Sequence, residues 1–293
     1  MSFLTRGRAG SCYASRVGPE QPSPESIVYR HSVTTRVTHW LGALAIFILI
    51  TSGLQIFNAA PHLDAADKSD PAKRVLLIAG GMDASGKPIG FVQLFNSVDI
   101  PTTHFLGYGS DGMGGEHPRA FPAWVTLPGY QDLADGRRWH LFFAWVLVLC
   151  GVAYLAVGLL RKDLQALILR PADLPKLLPM QLYYLRLRKE PPPYGKYNPL
   201  QKLAYTTVLF VFSPLMVITG LALSPGVDAW VPGLTTVLGG RQFARLWHFV
   251  LTFLVAGFIA THIALVLSTG FINNMRSMIL GTYRLGKHEG EGA

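Results

Sequence analysis

Charge is what this chain has least of. Only 15% of its 293 residues are Asp, Glu, Lys or Arg, while half are hydrophobic; a typical soluble domain carries about 25% charged residues. That deficit speaks against a water-soluble enzyme and for a chain that sits largely in lipid. Cysteine is scarce too. Cys12 and Cys150 are the whole supply, so no C-x-x-C-H haem attachment, zinc pair or disulfide framework can be built from them. Residues 1–35 contain no apolar run of 7 or more, which excludes a cleavable signal peptide. With Arg6, Arg8, Arg16 and Arg30 and a Pro/Ser stretch at 19–24, they read as a disordered cytoplasmic tail. The formal charge of +9 does not make a nucleic-acid binder, because such proteins spread Lys and Arg over a polar surface and this chain is too apolar.

What is present is four long apolar segments, 38–58, 139–160, 203–224 and 247–268, each close to the ~20 residues that cross a bilayer core. None contains Asp or Glu. The expected fold is an all-α membrane protein: a four-helix transmembrane bundle with a long periplasmic insertion, 59–138, between helices one and two. The transmembrane domain would span 36–285, between the tail 1–35 and a second cytoplasmic tail, 286–293. Orientation follows from the basic residues. The segment 161–199 carries Arg161, Lys162, Arg170, Lys176, Arg186, Arg188, Lys189 and Lys196 against three acids, which assigns it, and both termini, to the cytoplasm. It is expected to lie along the membrane surface. The segment 59–138 has nine acids against seven bases and falls outside. Within it, the apolar runs 75–78 and 89–95 flank an Asp/Ser/Gly turn and predict a hairpin, whereas 107–115 is Gly-rich and reads as irregular. Trp40, Trp139, Trp230 and Trp247 fall where helices would meet headgroups. Pro214 predicts a kink in helix three.

Ionisable side chains in a membrane span are rare and functional by default, and four histidines stand out on that ground. His140, His248 and His262 lie in apolar segments, and His39 opens the first. His248 and His262 are 14 residues apart, ~21 Å along a helix and within ~40° of the same face. Helix two enters from the same side as helix four, so His140 is level with His248; helix one enters from the other side, so His39 is towards the level of His262. Two pairs result: His140 with His248 near the outer leaflet, His39 with His262 near the inner. Two facing imidazoles across a bundle core are the axial set of a bis-histidine b haem. The alternatives are a zinc site, which usually needs three or four convergent ligands, a proton relay, which lacks helical carboxylates here, and unpaired histidines. His31 competes with His39 but lies in the polar lead-in. Gly53 follows His39 by 14 residues and leaves helix one without a side chain at the depth of the outer pair; Gly151, Gly220 and Gly257 are similar small sites, equally suited to close helix packing. Arg36, Arg137, Arg138, Arg241 and Arg245 stand at the ends of ligand-bearing helices, where a guanidinium either pairs with a haem propionate or snorkels to the interface.

The motifs Arg36-Val37-Thr38-His39-Trp40, Thr51-Ser52-Gly53-Leu54, Trp139-His140 and Tyr197-Asn198-Pro199-Leu200-Gln201-Lys202-Leu203, with the His248 to His262 spacing, resemble the di-haem cytochrome b subunits of bacterial respiratory enzymes. That group includes formate dehydrogenase gamma, the nickel-iron hydrogenase b-type cytochrome and the thiosulfate reductase cytochrome b subunit. The resemblance covers residues 30–285. The stretches Phe121-Pro122-Ala123-Trp124-Val125-Thr126-Leu127-Pro128-Gly129-Tyr130 and Gly270-Phe271-Ile272-Asn273-Asn274-Met275-Arg276 look most like the thiosulfate reductase branch. The resemblance implies two b haems, ligated by His140 with His248 and by His39 with His262. It also implies a quinone as substrate near Asn198 and Gln201 at the inner start of helix three, residues that helix capping explains as well. It further implies a partner, a periplasmic molybdopterin oxidoreductase, and a location in the bacterial inner membrane. The competing reading is a stand-alone transmembrane cytochrome acting directly on a small donor or acceptor; the long outer segment favours a partner. A haem-free transporter lacks the charged or broken helices that would mark its site.

Overall fold

The computed structural model describes residues 27–195 and 197–284. Four helices are long and apolar enough to cross a membrane: α1 (Val33–Asn58), α2 (Leu133–Leu160), α4 (Pro199–Leu223) and α7 (Arg241–Ser268). Four shorter ones complete the set: α3 (Leu177–Tyr184), α5 (Pro225–Trp230), α6 (Gly233–Val237) and α8 (Phe271–Ile279). Each spanning helix starts before its apolar run, at Val33, Leu133, Pro199 and Arg241 rather than at 38, 139, 203 and 247. The reason is that first turns are polar and capped. Ser32 accepts from the Thr35 N–H, Asp132 from that of Asp135, and Asn198 from that of Gln201, with Pro199 at the first helical position, where its missing N–H costs nothing. The earlier start of α1 sets His39 nearly two turns inside the helix.

Two tight helix pairs form, α1 along α2 and α4 along α7, with far sparser backbone approach between the pairs. The middle of α4 departs from α geometry. Residues Val208–Phe212 widen into a π turn just before Ser213 and Pro214. A proline cannot donate to the carbonyl four residues back and crowds it; the wider turn relieves that crowding, and Ser213 Oγ donates to the Val208 carbonyl at 2.7 Å. Pro214 thus marks a local change of helix type.

The all-α expectation needs correction. Among the described residues eight strands form three antiparallel sheets, and two of these lie between α1 and α2. β2 (His62–Asp64), β3 (Arg74–Met82), β4 (Pro88–Leu94) and β5 (Val98–Pro101) pair in that order, and β6 (Gly107–Ser110) pairs with β7 (Glu116–Arg119). β3 and β4 are the expected hairpin, in register from Leu76 with Leu94 to Met82 with Pro88. At its turn Asp83 Oδ1 accepts from the backbone N–H groups of Ser85 and Lys87 at 2.8 and 2.9 Å. The stretch expected to be irregular instead supplies β6, and its glycine serves close packing. A Cβ on Gly107, whose φ is +82°, would lie 2.2 Å from the Ala79 carbonyl oxygen, and one on Gly80 would lie 2.3 Å from that of Gly107. The hairpin and the sheet therefore stack backbone on backbone. Their apolar core is continuous with the helices: Leu63, Ile78, Ala120 and Phe121 pack with Phe57 of α1, and Leu246 and Phe249 of α7 lie against them.

At the opposite end of the helices, β1 (Ile27–Tyr29) pairs with β8 (Thr282–Arg284), and Arg30 lies 4.4 Å over the Tyr283 ring. The end of the expected N-terminal tail, 27–35, is thus ordered as a strand and the first turn of α1. Residues 1–26 of that tail, and the expected tail 286–293, lie outside the described residues. The segment between α2 and α4 forms short 3₁₀ turns and α3. There the backbone N–H of Arg170, with Lys202 at 3.0 Å, holds the Asp173 carboxyl below the usual carboxylate range.

Candidate cofactor site

His140 near the start of α2 faces His248 near the start of α7, ring centre to ring centre at 6.1 Å. His39 on α1 faces His262, further along α7, at 6.2 Å. The 14 residues between His248 and His262 separate the pairs by ~21 Å along the helix. His31 is not part of either pair. Each pair joins one helix of the α1/α2 unit to α7 of the other unit, across the side where the two units stay apart.

These separations decide what the pairs can hold. A metal–imidazole bond is about 2.0–2.1 Å, and a ring nitrogen lies roughly 1.1 Å from the ring centre. Two imidazoles on opposite sides of one metal therefore have centres about 6.3 Å apart. Both pairs match that figure. Two ligands per metal fall short of a zinc site, and no group of three or more His, Cys, Asp or Glu side chains suited to a metal occurs among the described residues. Two opposed imidazoles are the donor set of a haem, whose own nitrogens supply the other four ligands.

The surroundings also fit a flat group. Gly53 on α1 and Gly220 on α4 lie directly against the first pair: a Cβ on either would sit 3.3 Å from Cε1 of His140 or His248, respectively. Ser52 Oγ is 3.2 Å from His140 Nδ1, and Thr219 Oγ1 is 3.0 Å from His248 Nδ1. Around the second pair, Trp40 meets His39 edge-on at 5.3 Å and Phe258 stacks on His262 at 6.0 Å.

Two arginines precede candidate ligands by one helical turn. Arg36, three residues before His39, donates from Nη1 to the Ile279 carbonyl at 2.6 Å, and its Nε is buried with no partner among the described residues. A buried donor left over beside a ligand suits an acidic group such as a haem propionate. Arg245, three residues before His248, donates to the Ala60 carbonyl and lies 5.4 Å over the Phe57 ring.

Asn198 and Gln201 occupy a reciprocal capping box at the start of α4. Asn198 Oδ1 accepts from the Gln201 N–H at 2.9 Å, and Gln201 Oε1 accepts from the Asn198 N–H at 3.1 Å. Asn198 Nδ2 donates to the Tyr184 hydroxyl at 3.1 Å, and Asn198 is buried. Both of its polar atoms are thus engaged in hydrogen bonds. Only Nε2 of Gln201 remains without a hydrogen-bond partner among the described residues, and no hydrogen bond joins either residue to His39 or His262.

Histidine spacing does not point to Ser52 and Thr219. The signal that does is the recurrence of a hydroxyl residue, glycine and leucine on two different helices, Ser52-Gly53-Leu54 and Thr219-Gly220-Leu221. Arg119, which ties the sheets to α1, likewise carries no spacing signal. Buried between the β6–β7 sheet and α1, it donates to Gln55 Oε1, two residues beyond Gly53, at 3.3 Å.

Residues 30–281 match the family model described as prokaryotic cytochrome b561. A relative from Azospira oryzae, provisionally named protein-methionine-sulfoxide reductase subunit YedZ1, is 25% identical over 238 residues, 80% of this chain and 89% of the relative. No solved structure matches the chain.

Proposed function

The chain belongs to the prokaryotic cytochrome b561 family, a membrane electron-transfer cytochrome that binds b-type haem, and from that premise we propose a finer assignment. It holds two b haems, an outer one between His140 and His248 and an inner one between His39 and His262. Through them it passes electrons between quinone at the cytoplasmic side and an oxidoreductase at the periplasmic side of the bacterial inner membrane. The observation that carries this reading is the pair of ring separations, 6.1 and 6.2 Å, at two depths of the bundle.

When bound, each haem supplies a one-electron iron couple. The chain's residues do the rest. The four histidines fix the depth of each couple, α7 contributing one ligand to both. Gly53 and Gly220 let the edges of the outer rings come close to α1 and α4. The apolar spans exclude water from the path between the two pairs. Arg36 offers a buried donor to an inner propionate, and Nε2 of Gln201 is the polar atom left for a quinone near the inner end.

The partner is proposed on two grounds. The name of the Azospira relative describes a reductase subunit, and the sheets between α1 and α2 form a folded surface on the end assigned to the periplasm. The proposed partner is a periplasmic molybdopterin oxidoreductase. Affinity purification of the full chain from its native membrane, followed by molybdenum analysis, tests this: a molybdenum protein in stoichiometric yield supports it, and a cytochrome that purifies alone and reduces or oxidises a small substrate unaided overturns it.

A further inference from the structure

Resting on the di-haem reading, we propose that Ser52 and Thr219 are positioning residues for the outer ligands: they hold His140 and His248 in the Nδ1–H form, aim each Nε2 lone pair inward, and lower the midpoint potential of the outer haem.

The hydrogen-bond inventory forces the tautomer. A hydroxyl has one hydrogen to donate, and inside a helix Ser and Thr give it to the carbonyl four residues back. Ser52 Oγ donates to the Ile48 carbonyl at 2.6 Å, and Thr219 Oγ1 to the Leu215 carbonyl at 2.8 Å. With that hydrogen committed, each oxygen can only accept at its 3.2 or 3.0 Å contact with Nδ1. The proton therefore sits on Nδ1, and a neutral ring then carries its lone pair on Nε2.

The arrangement is duplicated element for element. On α1 and on α4 a hydroxyl residue faces the ring nitrogen, and the next residue is a glycine 3.3 Å beneath Cε1 through its would-be Cβ. The inner pair has nothing equivalent. Thr38 and Thr261 donate to the Thr34 and Gly257 carbonyls, but no hydrogen bond from them to His39 or His262 occurs among the described residues. Any effect of the hydroxyls is thus confined to the outer pair. Its sign follows from ligand basicity: an imidazole that donates from its distal nitrogen is a stronger donor to the metal, which favours ferric over ferrous iron and lowers the potential.

The test is a spectroelectrochemical titration of the purified full-length protein. The outer step is identified as the one that survives in His262→Ala. Thr219→Val keeps the shape and removes the hydroxyl; Thr219→Ser keeps the hydroxyl and removes the methyl; Ser52→Ala provides the second site. The expected result is a positive shift of the outer step in Thr219→Val and Ser52→Ala, an unmoved inner step, and an outer step in Thr219→Ser close to wild type. Loss of the outer haem in Thr219→Val with retention in Thr219→Ser also supports the hydroxyl's role. The proposal is overturned if both hydroxyl-free variants keep two haems with unmoved potentials, if Thr219→Ser shifts as far as Thr219→Val, or if the inner step moves equally. A wild-type protein with fewer than two steps removes the di-haem reading itself and the proposal with it.

Discussion

Replacing Arg119 with Met should release the outer sheets from the membrane helices. Arg119 is only 4% exposed, and all five of its N–H groups are used. Nε donates to the Phe121 carbonyl at 2.7 Å, Nη1 to the Ser110 and Gly129 carbonyls, both at 3.2 Å, and Nη2 to Gln55 Oε1 at 3.3 Å and Thr126 Oγ1 at 3.2 Å. One side chain of β7 thereby ties β6, the 121–130 loop and α1 together. Met keeps most of the stem and removes the fork. Phe121 and Gln55 then retain Asn58 Nδ2, at 3.1 and 3.4 Å, and Gly129 retains Thr126 Oγ1 at 3.5 Å. The Ser110 carbonyl has no other side-chain donor.

One orphaned, partly buried acceptor costs about 1–3 kcal/mol, and the weakened bonds cost about 0.5–1.5 kcal/mol each. Relief from holding a guanidinium away from water offsets part of this. A net ~2–4 kcal/mol corresponds to local opening that is about 30- to 1,000-fold more frequent. Hydrogen exchange by mass spectrometry on the purified chain reads this directly. Peptides within 107–130 should lose protection by that factor, while α2 and α7 keep theirs. Unchanged exchange across 107–130 would refute the view that Arg119 anchors the sheets.

Other consequences are as specific. Gly53→Val puts a branched side chain against a ring that a lone Cβ already approaches to 3.3 Å; haem content should fall by about half, through loss of the outer group, as measured by pyridine haemochrome. Gly107→Ala requires a Cβ 2.2 Å from a carbonyl oxygen at a φ of +82°; it should cost at least ~3 kcal/mol and expose 74–119 to limited proteolysis with the helices intact. Burial pushes the Asp64 carboxyl up, but hydrogen bonds from Arg74, Ser69 and the Asp70 N–H outweigh it and leave its pKa below the usual carboxylate value. Because the folded value is depressed, this contribution is complete above the unfolded pKa of about 3.9 and disappears as pH falls through the folded value. Asp64→Asn should therefore destabilise the β2–β3 edge at neutral pH and narrow its difference from wild type in strong acid, followed by proteolysis of 62–75 across a pH series.

Much of this was legible in the residues, for physical reasons that also mark where legibility stopped. Lipid demands long apolar runs, so the four spans stand out. Their starts do not, because capped first turns such as Val33-Thr34-Thr35-Arg36 are polar. The pairing of His248 and His262 with His39 and His140 follows from helix periodicity and the direction of each span. Ser52 and Thr219 are hidden because a hydroxyl in an apolar helix normally satisfies itself on its own backbone, and here it does so while also facing a ring. The β3–β4 hairpin shows in two apolar runs around an Asp/Ser/Gly turn. β6 does not, since Gly107 and Gly109 look like flexibility when Gly107 is in fact a point of contact. Arg119 carries no local signal, as its partners come from three separate stretches of chain. Asn198 and Gln201 fit a cap and a ligand site equally well by residue type, and the structure shows the cap.

The central claim is two b haems on two histidine pairs, and a reduced-minus-oxidised spectrum with haem quantification tests it most directly. Wild type should show b-type absorbance with two haems per chain. His248→Ala and His262→Ala should each lose one, a different one in each case, and His31→Ala should lose neither. Absence of b-type absorbance, or haem content unchanged in His248→Ala and His262→Ala, would contradict it.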